Sequence, residues 1–68
     1  MNKPDWKDAP DWAMWLGLDS DGYGYWFSHK PELLDGIEWA TDGVTAGSQC
    51  EHAGEFHDSG YPYLEKRQ

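Results

Sequence analysis

At 68 residues, with thirteen Asp and Glu against five Lys and Arg and a formal charge of −8, the chain has room for one small domain. Its surface repels phosphate backbones and anionic membranes. A single cysteine excludes an intrachain disulfide and points to a reducing compartment. Five Trp, four Tyr and two Phe offset the short length, since each large ring buries about 150–250 Å².

Residues 1–11 carry Pro4 and Pro10 and repeat Pro-Asp-Trp at Pro4-Asp5-Trp6 and Pro10-Asp11-Trp12. Proline removes a donor and biases its predecessor away from helix, so this stretch reads as an extended arm. Trp6 has two options there, a plug folded back onto the sheet or an exposed contact for a partner. The start lacks the apolar run of a signal peptide, and no stretch approaches a membrane span, so a cytoplasmic protein is expected.

Trp12 to Leu18 alternates, with Trp12, Met14, Leu16 and Leu18 on one face and Ala13, Trp15 and Gly17 on the other. A period of two means a strand. Asp19-Ser20-Asp21-Gly22 is a hairpin turn. Beyond it Tyr23, Tyr25 and Phe27 share one face, and Gly24, Trp26 and Ser28 the other. This reading sets Trp15 and Trp26 side by side, away from the core, over a flat floor at Gly17 and Gly24. The pair is a candidate binding face unless the arm or the C-terminal segment covers it.

Pro31 to Leu34 reads as one helical turn, and Ile37 to Thr41 as a third strand with Ile37, Trp39 and Thr41 on one face. Asp42-Gly43 signals a second turn and Val44-Thr45 a short fourth strand. Residues 46–59 read as loop with Phe56 as apolar anchor. Tyr61 to Leu64 reads as an edge strand, where proline is tolerated. The expected architecture is mainly β: a small antiparallel β-meander of three to four strands over residues 12–64. It has an arm at 1–11, a loop-rich C-terminal segment and a frayed tail at 65–68.

Little in the sequence marks chemistry. Asp19 to Gly24 begins like a calcium loop, but Tyr23 stands at its fifth position and Lys30 at its twelfth, where a bidentate Glu is required. The hairpin turn accounts for the same residues. Cys50, His52 and His57 have a zinc-like composition without a zinc-like spacing, and exposed polar loop residues are the favoured account of them. They also suggest a Cys–His nucleophile pair, but no orienting group or oxyanion hole is marked. The expectation is therefore no enzyme, no cofactor and no metal. An aromatic sheet can stack bases, but this one lacks the basic groove that single strands require.

Charge is more informative. Between Pro31 and Leu64 stand seven acids (Glu32, Asp35, Glu38, Asp42, Glu51, Glu55 and Asp58) and no Lys or Arg. Basic protein surfaces are the natural partners of such a stretch, with solubility alone as the competing account.

Ala9-Pro10-Asp11-Trp12, Asp19-Ser20-Asp21-Gly22, Tyr23 to Phe27 and Lys30-Pro31 together resemble a pattern in small uncharacterised accessory proteins of tailed bacteriophages. The resemblance spans residues 9–40 and brings no catalytic residues with it. It implies a virus-encoded protein that occupies a host macromolecule inside a bacterium. On that reading Glu38, Asp42, Glu51 and Glu55 present carboxylates to a basic nucleic-acid-binding surface of a host protein, a defence complex or another DNA-binding enzyme. This amounts to DNA mimicry, and Trp15, Trp26 and Trp39, or Trp6, supply the holding contacts. Two rivals stay open: a structural or homo-oligomeric virion component, and a small metal-binding module at Cys50, His52 and His57.

Overall fold

Aromatic alternation on either side of the Asp-rich turn builds the centre of the fold. In the computed structural model, which describes residues 2–41, 47–57 and 59–68, β1 (Trp15–Leu18) and β2 (Tyr23–Phe27) form an antiparallel hairpin. Its turn is closed by the Asp19 amide donating to Tyr23 O at 2.8 Å and the Gly22 amide donating to Asp19 O at 2.9 Å. β3 (Glu32–Leu34) and β4 (Glu38–Ala40) make a separate two-stranded hairpin. β5 (Cys50–Glu55) and β6 (Tyr63–Lys66) then flank the first hairpin, giving a four-stranded antiparallel sheet of order β5-β2-β1-β6.

The protein is thus mainly β, but the order departs from a meander. The expected third strand, here β4, does not join the main sheet. It pairs with β3, formed by residues that were expected to make a helical turn. Asp35 at φ 54° and Gly36 at φ 71° both lie in the left-handed region, which a tight Asp-Gly hairpin turn demands. That turn favours a hairpin here. The expected turn at Asp42-Gly43 and strand at Val44-Thr45 lie outside the described residues.

The segment read as loop supplies β5, the longest strand among the described residues. Its register against β2 shifts between Gly24 and Tyr25, the mark of a β-bulge. Its composition is poor in β-branched residues, so the strand depends on the free edge of β2 more than on propensity. β6 takes the opposite edge, as expected, but it runs from Tyr63 to Lys66, so Pro62 precedes the strand instead of lying within it.

The sheet is covered on both faces. On the first, Leu16, Ala13 and Trp26 form the core, with Trp6, Ala9, Trp12 and Ala53 packed around them. The N-terminal arm provides this cover. It is not extended throughout: Trp6–Asp8 form a 3-10 turn, and the Asp5 carboxylate caps it by accepting from the Lys7 amide at 3.0 Å. Trp6 is the plug, its ring centroid 4.9 Å from that of Trp26 and its indole N–H donating to Glu65 Oε2 at 3.2 Å. The tail expected to fray is tied down by the end of the arm and the residues that lead into β1. Arg67 donates through Nη1 to Ala13 O at 2.9 Å and to Pro10 O at 3.2 Å, and through its amide to Met14 O at 2.8 Å. On the second face, Trp39 from β4 lies over Gly17 and Phe27.

Candidate functional site

Register decides which aromatics meet. Leu18 pairs with Gly24 and Leu16 with Trp26, while Trp15 stands opposite Phe27. A four-residue turn closing on Tyr23 would have paired Leu18 with Tyr23 and put Trp15 beside Trp26. One further residue in the turn flips every side chain of β2 relative to β1. The expected Trp15–Trp26 face therefore does not exist. Trp26 is 3% exposed, buried beneath the arm. Trp15 lies on the other face, half-buried, with the Lys30 and Lys66 ammonium groups 5.7 and 5.8 Å from its ring.

What the second face offers is a cleft of about 220 Å³ between β4 and the main sheet. Phe27 and Tyr25 line its sheet side, Trp39 and Ala40 the hairpin side, and Asp19, Glu38 and Cys50 its polar edge. Trp39 is held at three points. Its amide donates to Asp19 Oδ1 at 2.9 Å, its indole N–H to Leu18 O at 3.1 Å, and its ring rests where Gly17 has no side chain. Outside the cleft the aromatic row continues along β2 and β5. Tyr25 lies 6.3 Å from Phe27 and 5.3 Å from His52, which is 6.2 Å from Tyr23.

The electrostatics of the cleft have one sign. Asp19 is 8% exposed. Burial pushes its carboxyl above the ordinary aspartate value, the Trp39 amide pulls it back in part, and Asp21 and Glu38 raise it further. Burial, then the Asp19 charge, pushes up both the Tyr25 phenol and the Cys50 thiol. A thiol raised in this way is not an activated nucleophile. Negative potential in a partly dried, aromatic-walled cleft favours a cation and disfavours an anion.

The remaining candidate residues are dispersed. Glu38 and Trp39 meet at the cleft. Glu55 is exposed at the end of β5, opposite Tyr23, with His57 Nε2 at 3.7 Å from its Oε2. Glu51 pairs with Trp26 and so belongs to the opposite face. Asp42 lies outside the described residues. Cys50 and His52 share a face of β5, but His57 lies beyond the strand beside Glu55. Among the described residues no group of three His, Cys, Asp or Glu is placed to hold a metal ion. Sequence reasoning passed over Asp19 and Tyr25. Asp19 had been assigned wholly to turn chemistry, and only the docking of β4, a contact between distant segments, makes it a cleft residue.

No helix among the described residues is long and apolar enough to cross a membrane. Compared with known proteins, the chain matches no family model, no curated protein and no solved structure. The functional reading therefore rests on the fold, the cleft and the distribution of charge.

Proposed function

We propose that this is a phage-encoded accessory protein that acts in the cytoplasm of a bacterial host. It binds a basic host protein stoichiometrically and inhibits or redirects it. The contact surface is the face made by β2, β5 and the β3–β4 hairpin. The observation that carries this reading is the separation of charge along the sheet, between its β1–β6 side and its β5 edge with the β3–β4 hairpin. The cations are engaged around the arm, β1 and β6: Lys3 with Glu65 at 2.7 Å, Lys7 near Asp5 at 4.0 Å, Lys30 and Lys66 over Trp15 on the cleft's face of β1, and Arg67 over Trp6. The β5 edge and the hairpin carry Glu32, Asp35, Glu38 and Glu55, with Glu51 on the reverse face of β5, and no Lys or Arg stands between Pro31 and Leu64.

Acids spaced along strands steer a basic surface into contact, and the aromatic row with exposed Leu34 and Ile37 supplies the area that holds it. A host protein whose own ligand is nucleic acid fits this chemistry, with the carboxylates standing in for phosphates. The test is affinity capture from bacterial lysate, washed at low and at high salt. The expected result is one basic, nucleic-acid-binding protein released by salt. The exposed Leu33, Leu34 and Ile37 favour a second reading, burial of the hairpin between copies of the chain. Recovery of no specific partner together with a stable homo-oligomer in sedimentation would replace the first reading with it.

A further inference from the structure

We propose that the cleft between β4 and β2 receives a single arginine side chain from the protein partner. This rests on the reading of a basic protein partner and names the chemistry of its anchor. The size argues for one side chain. About 220 Å³ falls below the roughly 300–1,000 Å³ of pockets that take drug-sized ligands.

The walls argue for a cation with a flat face. Tyr25, Phe27 and Trp39 offer ring surface, and the Trp39 ring is fixed in place by its amide, its indole N–H and the bare Gly17 beneath it. A ring held before binding loses little freedom on binding. Asp19 and Glu38 stand at the same opening. Asp19 is buried with a neutral amide donor at Oδ1, which offsets only part of the cost of keeping a carboxylate from water. An incoming cation supplies the remainder. Guanidinium suits this geometry better than ammonium, because it stacks on aromatic faces and presents several N–H groups in one plane to carboxylates. Among the described residues the Lys and Arg side chains are engaged elsewhere: Lys30 and Lys66 sit on Trp15, Arg67 on Trp6, Lys3 pairs with Glu65 and Lys7 lies near Asp5.

The experiment is an amide and indole NMR titration of the labelled protein at low salt. The probes are a Gly-Ser peptide bearing one arginine and its counterparts bearing lysine or citrulline. Citrulline keeps the shape and loses the charge. Saturable shifts at Tyr25, Ala40 and both Trp39 N–H signals are expected with arginine. Binding should be about tenfold weaker for citrulline and for Glu38→Gln, the loss of one charged hydrogen bond. Asp19→Asn, which retains an acceptor for the Trp39 amide, should weaken binding similarly while the spectrum stays folded. Equal binding of arginine and citrulline peptides would overturn the proposal. So would shifts with the arginine or lysine peptide confined to acidic positions outside the cleft, such as Glu51, although the acidic-face reading would then stand. No shift with either basic peptide anywhere would overturn both.

Discussion

Trp39 occupies the space that a side chain at Gly17 would need. A Cβ placed on Gly17 falls 2.9 Å from Trp39 Cγ and Cδ1 and 3.0 Å from Phe27 Cε2. The glycine is what lets the β3–β4 hairpin lie against β1, and it thereby sets one wall of the cleft. Ordinarily Gly→Ala within a strand gains about 0.5–1 kcal/mol in backbone entropy. Here overpacking of about 1–3 kcal/mol should outweigh that gain. Gly17→Ala is expected to lower the urea midpoint and shift Trp39 emission toward the red. A stabilised Gly17→Ala protein would mean that the hairpin does not dock on β1.

The arm is tested through Trp6. Its ring packs on Trp26, its indole N–H bonds Glu65, and the Arg67 guanidinium lies 5.5 Å from the ring. Trp6→Ala removes all three contacts and should cost about 2–4 kcal/mol, somewhat less than truncation of a fully buried ring. Trp6→Phe keeps a ring on Trp26 and loses the bond to Glu65, for about 1.5 kcal/mol. Urea denaturation resolves the two. Near-equal losses would show that the hydrogen bond, rather than the stack, holds the arm.

The sequence carried the strands of the first hairpin and their turn clearly, because period-two alternation and Asp-Gly chemistry are local signals. What it could not carry was the closing pair. Leu18 to Gly24 instead of Leu18 to Tyr23 is a difference of one residue, invisible to composition, yet it moved Trp26 from a binding face into the core. β5 was illegible for a related reason. Cys-Glu-His-Ala-Gly-Glu has no strand propensity of its own and pairs because β2 leaves an edge open. The candidate site followed the same rule. Glu38 and Trp39 were found by local charge and aromatic content, whereas Asp19 and Tyr25 join them only through packing between distant segments.

Two carboxylates should shape the pH dependence of stability in opposite senses. At Glu65, burial pushes the carboxyl up, but the hydrogen bonds from Lys3 and the Trp6 indole outweigh it and hold the group below the ordinary glutamate value. Its stabilisation is therefore full above about pH 4.3, the unfolded value, and is lost as pH falls through the folded value. At Asp19, burial leads and the folded value lies above the ordinary one. Its contribution is full below about pH 3.9 and is lost as pH rises through the folded value. Glu65→Gln should therefore destabilise at neutral pH, with the difference shrinking in acid. Asp19→Asn should stabilise at neutral pH, also converging in acid. Urea titrations from about pH 7 to about pH 3 read both signs. Destabilisation by Asp19→Asn at neutral pH would show that its charge, and not merely its acceptor, holds Trp39.

The two faces of β5 make the binding surface testable by charge reversal. Glu38 borders the cleft and Glu55 stands opposite Tyr23, whereas Glu51 belongs with Trp26 on the face that the arm covers. All three are exposed, so their replacement by Lys should leave the fold intact. Long-range steering depends on total charge, so each reversal should slow association with a basic partner at low salt, and added salt should erase the effect. Contact at the interface is local. Glu38→Lys and Glu55→Lys should therefore also speed dissociation, by about tenfold where a charged hydrogen bond is lost, while Glu51→Lys leaves dissociation unchanged. Surface plasmon resonance with the captured host protein separates the two rates. If Glu51→Lys alone speeds dissociation, the partner sits on the arm side and the assignment of the face is wrong.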